Sequence, residues 1–99
     1  MEYKNKNSIL QEAKEIILLL DSNTDQLTLL RVYNKWYTSG LEFVKSHTES
    51  RLGEFESLHF EIQKALCDIN PDLKLVRLNL IILSAIIEGS QDHTPFIVF

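Results

Sequence analysis

Several absences constrain this chain before anything in it is read. It has one cysteine, Cys67, so no internal disulfide can form, and no CxxC or Cys/His spacing supplies a zinc site. Its three histidines are His47, His59 and His93. None lies three or four positions from another, which excludes a helical metal pair. The three glycines, Gly40, Gly53 and Gly89, build no phosphate-cradling loop, and no serine sits in a nucleophile elbow. Neither a metal, a nucleotide cofactor nor a catalytic residue is therefore expected.

Basic residues are equally scarce. The formal net charge is −4 and Lys and Arg form no cluster, so the footprint needed for a phosphate backbone or anionic lipid is missing. Direct nucleic-acid binding is not expected. The most apolar run, Leu78 to Ile87, contains Asn79 and Ser84. It is about half the ~20 residues that span a bilayer, so no transmembrane segment is predicted. The polar start, Met1 to Asn7, is unlike a secretion signal. Together with the lone thiol, it points to a reducing, cytoplasmic setting.

What is present is enough to fold. Of 99 residues, 44% are hydrophobic and 24% charged, the balance of one small globular domain. The periodicity is helical throughout and predicts an all-α bundle of four helices, with five as the alternative count. Ser8 and Gln11 read as a capping box. Ile9, Ala13, Ile16, Ile17 and Leu20 then form helix one, over Ile9 to Leu20. Asn23 or Thr24 caps helix two, with Asp25 in its first turn. One stripe of that helix is Leu30, Tyr33, Tyr37, Val44 and His47; an adjacent one is Leu29, Val32, Trp36 and Phe43. The buried face is thus wide enough to need two neighbours or a ligand. Gly40 costs about 1 kcal/mol relative to alanine in a helix, which is best explained by a close helix contact. Gly53 either breaks or bends the chain.

Phe55, Leu58, His59, Ile62, Leu66 and Ile69 make a third stripe, opposite Glu54, Glu56, Glu61, Gln63 and Lys64. Cys67 reads as a buried packing residue. Asn70 as N-cap, Pro71 as first helical residue and Asp72 behind it start helix four. Gly89 closes that helix as a left-handed cap. Leu78 to Ile87 is apolar nearly all round, more than a small bundle covers. This predicts a homodimer with Leu80, Ile81, Leu83, Ile86 and Ile87 at its interface. Tyr33, Trp36, Tyr37 and Phe43, aromatic with polar tips, are candidates to line a pocket for an apolar small molecule. Residues 92–99 form an apolar C-terminal tail whose Phe96, Ile97, Val98 and Phe99 need a surface.

The segment Phe55 to Gln91 resembles the ligand-binding and dimerisation half of TetR-type regulators. Ile69-Asn70-Pro71-Asp72-Leu73 and Leu80 to Ser90, an NPxL followed by AxIEGS, carry the likeness. It extends over about the last seventy residues. It implies that the apolar helix ending in Glu88-Gly89 takes part in a dimer interface, and that Leu29 to Tyr37 line a pocket. No basic recognition helix precedes Leu29, so the family's DNA binding is not implied. Ser57 to Leu66 and Thr94 to Phe99 are also similar to pediocin-like bacteriocin immunity proteins. Those are four-helix bundles of this length with a trailing C-terminal segment. That likeness implies instead a monomer whose tail recognises a bacteriocin-bound receptor.

Overall fold

A computed structural model describes residues 5–89. They form four α-helices and one 3₁₀ turn, with no strand among the described residues: α1 (Lys6–Asp21), α2 (Gln26–His47), the turn Glu49–Arg51, α3 (Leu52–Cys67) and α4 (Leu73–Gly89). The expected all-α four-helix bundle is what forms. The tail 92–99 lies outside the described residues.

Three of the four helices begin at a side-chain cap, though not at the expected one; α3 has none. Asn5 accepts from the Ser8 amide at 2.8 Å, so α1 starts one turn earlier and Ser8 is inside it. Asparagine caps as well as serine. Asp25, not Asn23 or Thr24, caps α2. Its carboxylate accepts from the Thr28 amide at 3.0 Å and the Thr28 hydroxyl at 2.8 Å. Those two bonds, the hydroxyl's first, hold its pKa below the usual carboxylate value. Asp72 accepts from the Leu75 amide at 3.1 Å, which starts α4 at Leu73 rather than Pro71. Asn70 is instead held in the loop by Asp68, whose side chain accepts from its amide at 3.3 Å.

Gly53 neither breaks nor bends a helix. It sits in the first turn of α3, with nothing near the place of a Cβ. The break falls at Thr48, whose backbone (φ −153°, ψ 60°) leaves the helical region. Gly89 lies within α4 and is not left-handed. Ile69, expected on the third stripe, is 92% exposed in the loop beyond α3, because α3 ends at Cys67. Cys67 itself is exposed rather than packed.

The helices contact in a ring: α1 with α2, α2 with α3, α3 with α4, and α4 back with α1. Short connections make sequential neighbours antiparallel. Two polar contacts tie the ring together at one end. Gln26, at the start of α2, donates to the carbonyls of Leu66 and Asp68 where α3 runs out of its own donors. Arg77 of α4 pairs with Asp21 at the end of α1.

Inside the ring, Ile9, Ile16, Tyr33, Trp36, Phe55, Ile62, Leu80 and Ile87 are among the fully buried side chains, and Asn79 is the one buried polar residue among those described. Gly40 is the expected close contact. A Cβ there would lie 3.2 Å from Phe55 Cζ and 3.3 Å from Ile87 Cδ1, so α2 approaches both α3 and α4 at that point.

Candidate functional site

Helix α2 positions all four aromatic candidates, and the bundle uses them in different ways. On the side toward α3, Tyr33 and Tyr37 meet rings from the facing helix. The Tyr37 ring lies over His59 with centroids 3.6 Å apart and planes 7° from parallel. It also stacks on Phe55, at 5.5 Å, and on Tyr33, at 6.1 Å. Tyr33 stacks on His59 at 5.7 Å, and its hydroxyl is 2.8 Å from His59 Nδ1. Burial raises the Tyr33 pKa, so the phenol keeps its proton and can donate it to the imidazole. Burial, helped by the charge of Glu56, pushes Tyr37 up to about 12. His59 is shifted down, because burial disfavours the imidazolium more than Glu56 favours it. These shifts move all three groups away from the range in which acid–base chemistry runs at neutral pH. The cluster is a packed stack.

Phe43 is buried as well, and its ring stacks on His47 at 4.2 Å within the last turns of α2. It faces no cavity. Of the four predicted pocket residues, Trp36 borders a groove among the described residues. Its indole Nε1 donates to the Ile9 carbonyl at 2.8 Å, which satisfies the buried nitrogen and pins the ring between α1 and α2. Beside that ring runs a partly open groove of about 400 Å³. Ile16 and Leu19 of α1 and Val32 and Trp36 of α2 supply its apolar surface; Glu12 and Glu15 rim it on α1, Arg31 and Lys35 on α2.

The charged rims were missed in the sequence, although a signal was present. Residues 12, 15, 16 and 19 follow helical spacing, as do 31, 32, 35 and 36. The first row is acidic outside and apolar inside, the second basic outside and apolar inside. Only their juxtaposition makes a groove, and juxtaposition is a tertiary fact.

The predicted interface on α4 needs correction. Leu80, Leu83 and Ile87 are 0% exposed and Ile86 is 1%. They fill the chain's own core, so no second copy can reach them. Of the five, Ile81 alone is exposed, at 46%. The surface left over is the opposite stripe: Leu75, Leu78, Ile81 and Ala85 exposed, with Ile82 half-buried. A helix apolar all round does not reveal which way it is turned. Here the bundle takes the 76, 80, 83, 87 row and leaves the 75, 78, 82, 85 row outside.

Among the described residues no three acidic, histidine or cysteine side chains come close enough to hold a metal ion. No helix among them is long and apolar enough to cross a membrane. No family model, no curated protein and no solved structure matches this chain. Both resemblances therefore rest on the residues that carry them.

Proposed function

We propose that this chain is a helical ligand-sensing module, akin to the sensing half of a TetR-type regulator but with no DNA contact of its own. Its ligand is an apolar small molecule held between α1 and α2. The observation that carries this reading is the groove beside Trp36. At about 400 Å³ it falls within the ~300–1,000 Å³ usual for small-molecule sites. Ile16, Leu19, Val32 and Trp36 would cover the body of the ligand, while the charged rims orient a polar end. Tyr33 and Tyr37 act at one remove, by fixing α2 against α3. Binding requires no dimer, and a cytoplasmic location suits it.

Trp36 is the only tryptophan, so its fluorescence is a direct reporter. Titration with an apolar probe, anilinonaphthalene sulfonate, should change the tryptophan emission saturably and with single-site behaviour. Val32→Glu, which puts a carboxylate in the groove, should weaken binding at least about tenfold, the loss of one good apolar contact or more. An unsaturable response, or an unchanged one in Val32→Glu, rejects the groove as the site.

The second reading, an immunity protein of the pediocin-like kind, draws support from a different observation: the burial of Leu80, Leu83, Ile86 and Ile87 within a single chain. A bundle that completes its own core can work as a monomer. That reading expects bacteriocin-sensitive cells expressing the chain to be protected, and protection to vanish when Phe96 to Phe99 are deleted. Sensitivity unchanged by the intact chain rejects it.

A further inference from the structure

The groove between α1 and α2 has two banks of opposite charge, Glu12 and Glu15 on α1 against Arg31 and Lys35 on α2, with an apolar floor between them. The helices are antiparallel and turn between Asp21 and Gln26, so residues equally far from those two ends stand level. Glu12 and Lys35 are each nine residues from them, and Glu15 and Arg31 are six and five. Each acid thus faces a base across the groove, at two levels about 5 Å apart along the axis.

The banks do not neutralise each other. Among the described residues neither Arg31 nor Lys35 forms a salt bridge, and Arg31 acts on the Asp25 carboxylate through its field alone. Opposite charges that stand level on neighbouring helices and still do not meet leave a gap wider than one ion pair. Nor does the rim as a whole select a sign. A lone carboxylate drawn to α2 is repelled by α1, and a lone ammonium meets the reverse. A head group that carries both charges is attracted by both banks and repelled by neither.

We infer that the ligand of this groove is a zwitterionic amphiphile, with its apolar chain on the floor beside Trp36, its ammonium turned to Glu12 and Glu15, and its carboxylate turned to Arg31 and Lys35. An α-amino acid with a long apolar side chain is the class with this chemistry. This rests on the groove being the ligand site, and it adds the rule by which that site sorts ligands. The floor attracts any apolar chain of the right size; the opposed banks discriminate between head groups. The guanidinium of Arg31 suits a carboxylate in particular, because its planar fork can donate two parallel bonds to it.

Titration of the full chain at neutral pH with probes of one chain length, read by Trp36 emission, tests this. Octanol reports whether the floor takes an apolar chain at all; octanoate, octylamine and 2-aminooctanoate compare the three charged heads. The amino acid should bind about threefold more tightly, or better, than octanoate or octylamine, the gain from one added exposed ion pair. Removing one bank should then reverse the order. In Glu12→Gln/Glu15→Gln octanoate should overtake the amino acid, and in Arg31→Gln/Lys35→Gln octylamine should. Circular dichroism checks that both variants keep the helical fold of the parent. If no probe changes the emission saturably, the groove itself fails as a ligand site and the head-group rule falls with it. If probes bind but either single-charge probe matches the amino acid on the parent chain, or neither double variant changes the order, the groove stands and the zwitterion inference is overturned.

Discussion

The two flanks of α2 present similar aromatic stripes and end up differently. Toward α3 the rings are stacked on other rings; toward α1 the indole of Trp36 borders an open groove. The difference comes from what the neighbouring helix offers. Helix α3 brings Phe55 and His59 opposite Tyr33 and Tyr37, large planar groups that fill the gap. Helix α1 brings Ile16 and Leu19, with the longer Glu12 and Glu15 at the edge, and these leave a channel. Whether an aromatic stripe is core or pocket is thus decided by the sizes of the residues facing it, which lie tens of positions away in sequence.

The largest expected effect sets these flanks against each other. Phe55 is fully buried, stacked on Tyr37 and in contact with the Gly40 backbone. Phe55→Ala should cost about 3–5 kcal/mol of unfolding free energy by urea titration. Val32, half-buried beside the groove, has space to one side already. Val32→Ala should cost about 1 kcal/mol or less, since little new cavity is created. Similar losses at the two positions would mean that the groove is as tightly packed as the stack, and the distinction between the flanks would fail.

A smaller effect is expected where the filled flank is tightest. Gly40→Ala gains about 1 kcal/mol of helix propensity. It also places a methyl group 3.2–3.3 Å from Phe55 and Ile87, two fully buried side chains with no free space to retreat into. Overpacking of that kind costs about 1–3 kcal/mol. The net should be a loss of about 1 kcal/mol, with Ile87→Val restoring part of it in the double variant. A net gain in stability from Gly40→Ala alone would show that the close approach of α2, α3 and α4 is looser than it looks. Gly53→Ala is the matching control: nothing lies near its Cβ, so the propensity gain should appear undiminished.

These contrasts also explain how much was legible in advance. The four helices follow from apolar spacing, because amphipathic periodicity is a local property. The role of Gly40 was legible for the same reason: a glycine inside a strong helical pattern needs a tertiary cause, and close approach is the usual one. The caps were displaced by up to three positions, since Asn5, Asp25 and Asp72 each compete with a neighbouring polar residue and only backbone geometry chooses between them. The break at Thr48 had no glycine or proline to mark it. The rotation of α4 was hidden by its composition: when both the 76-80-83-87 row and the 75-78-82-85 row are apolar, periodicity offers two interiors. His59 stood on the third apolar stripe, which was the one available hint that a polar residue there had a partner inside the bundle.

The smallest expected effect tests that partnership. The His59 pKa is lowered by burial, against the pull of Glu56, while the unfolded chain titrates near the reference value of about 6.5. Between the folded and unfolded pKa the unfolded state binds more protons, so stability falls as the pH drops. The contribution of neutral His59 is therefore fully present above about pH 6.5 and is lost as the pH falls through that value toward the folded pKa. In the folded protein the imidazolium would have to sit against Tyr37 and accept a changed bond with Tyr33, whose hydroxyl is 2.8 Å from Nδ1. His59→Phe preserves a flat ring for Tyr37 to stack on but removes both the titration and the bond. Unfolding curves between pH 5 and pH 8 should show a fall in stability on the acid side that is steeper in the parent than in His59→Phe. NMR titration of the His59 ring should give a midpoint below about 6.5. A midpoint at or above that value, or parallel pH profiles for parent and variant, would mean that the imidazole is solvated rather than sealed into the stack, and the filled flank of α2 would be open after all.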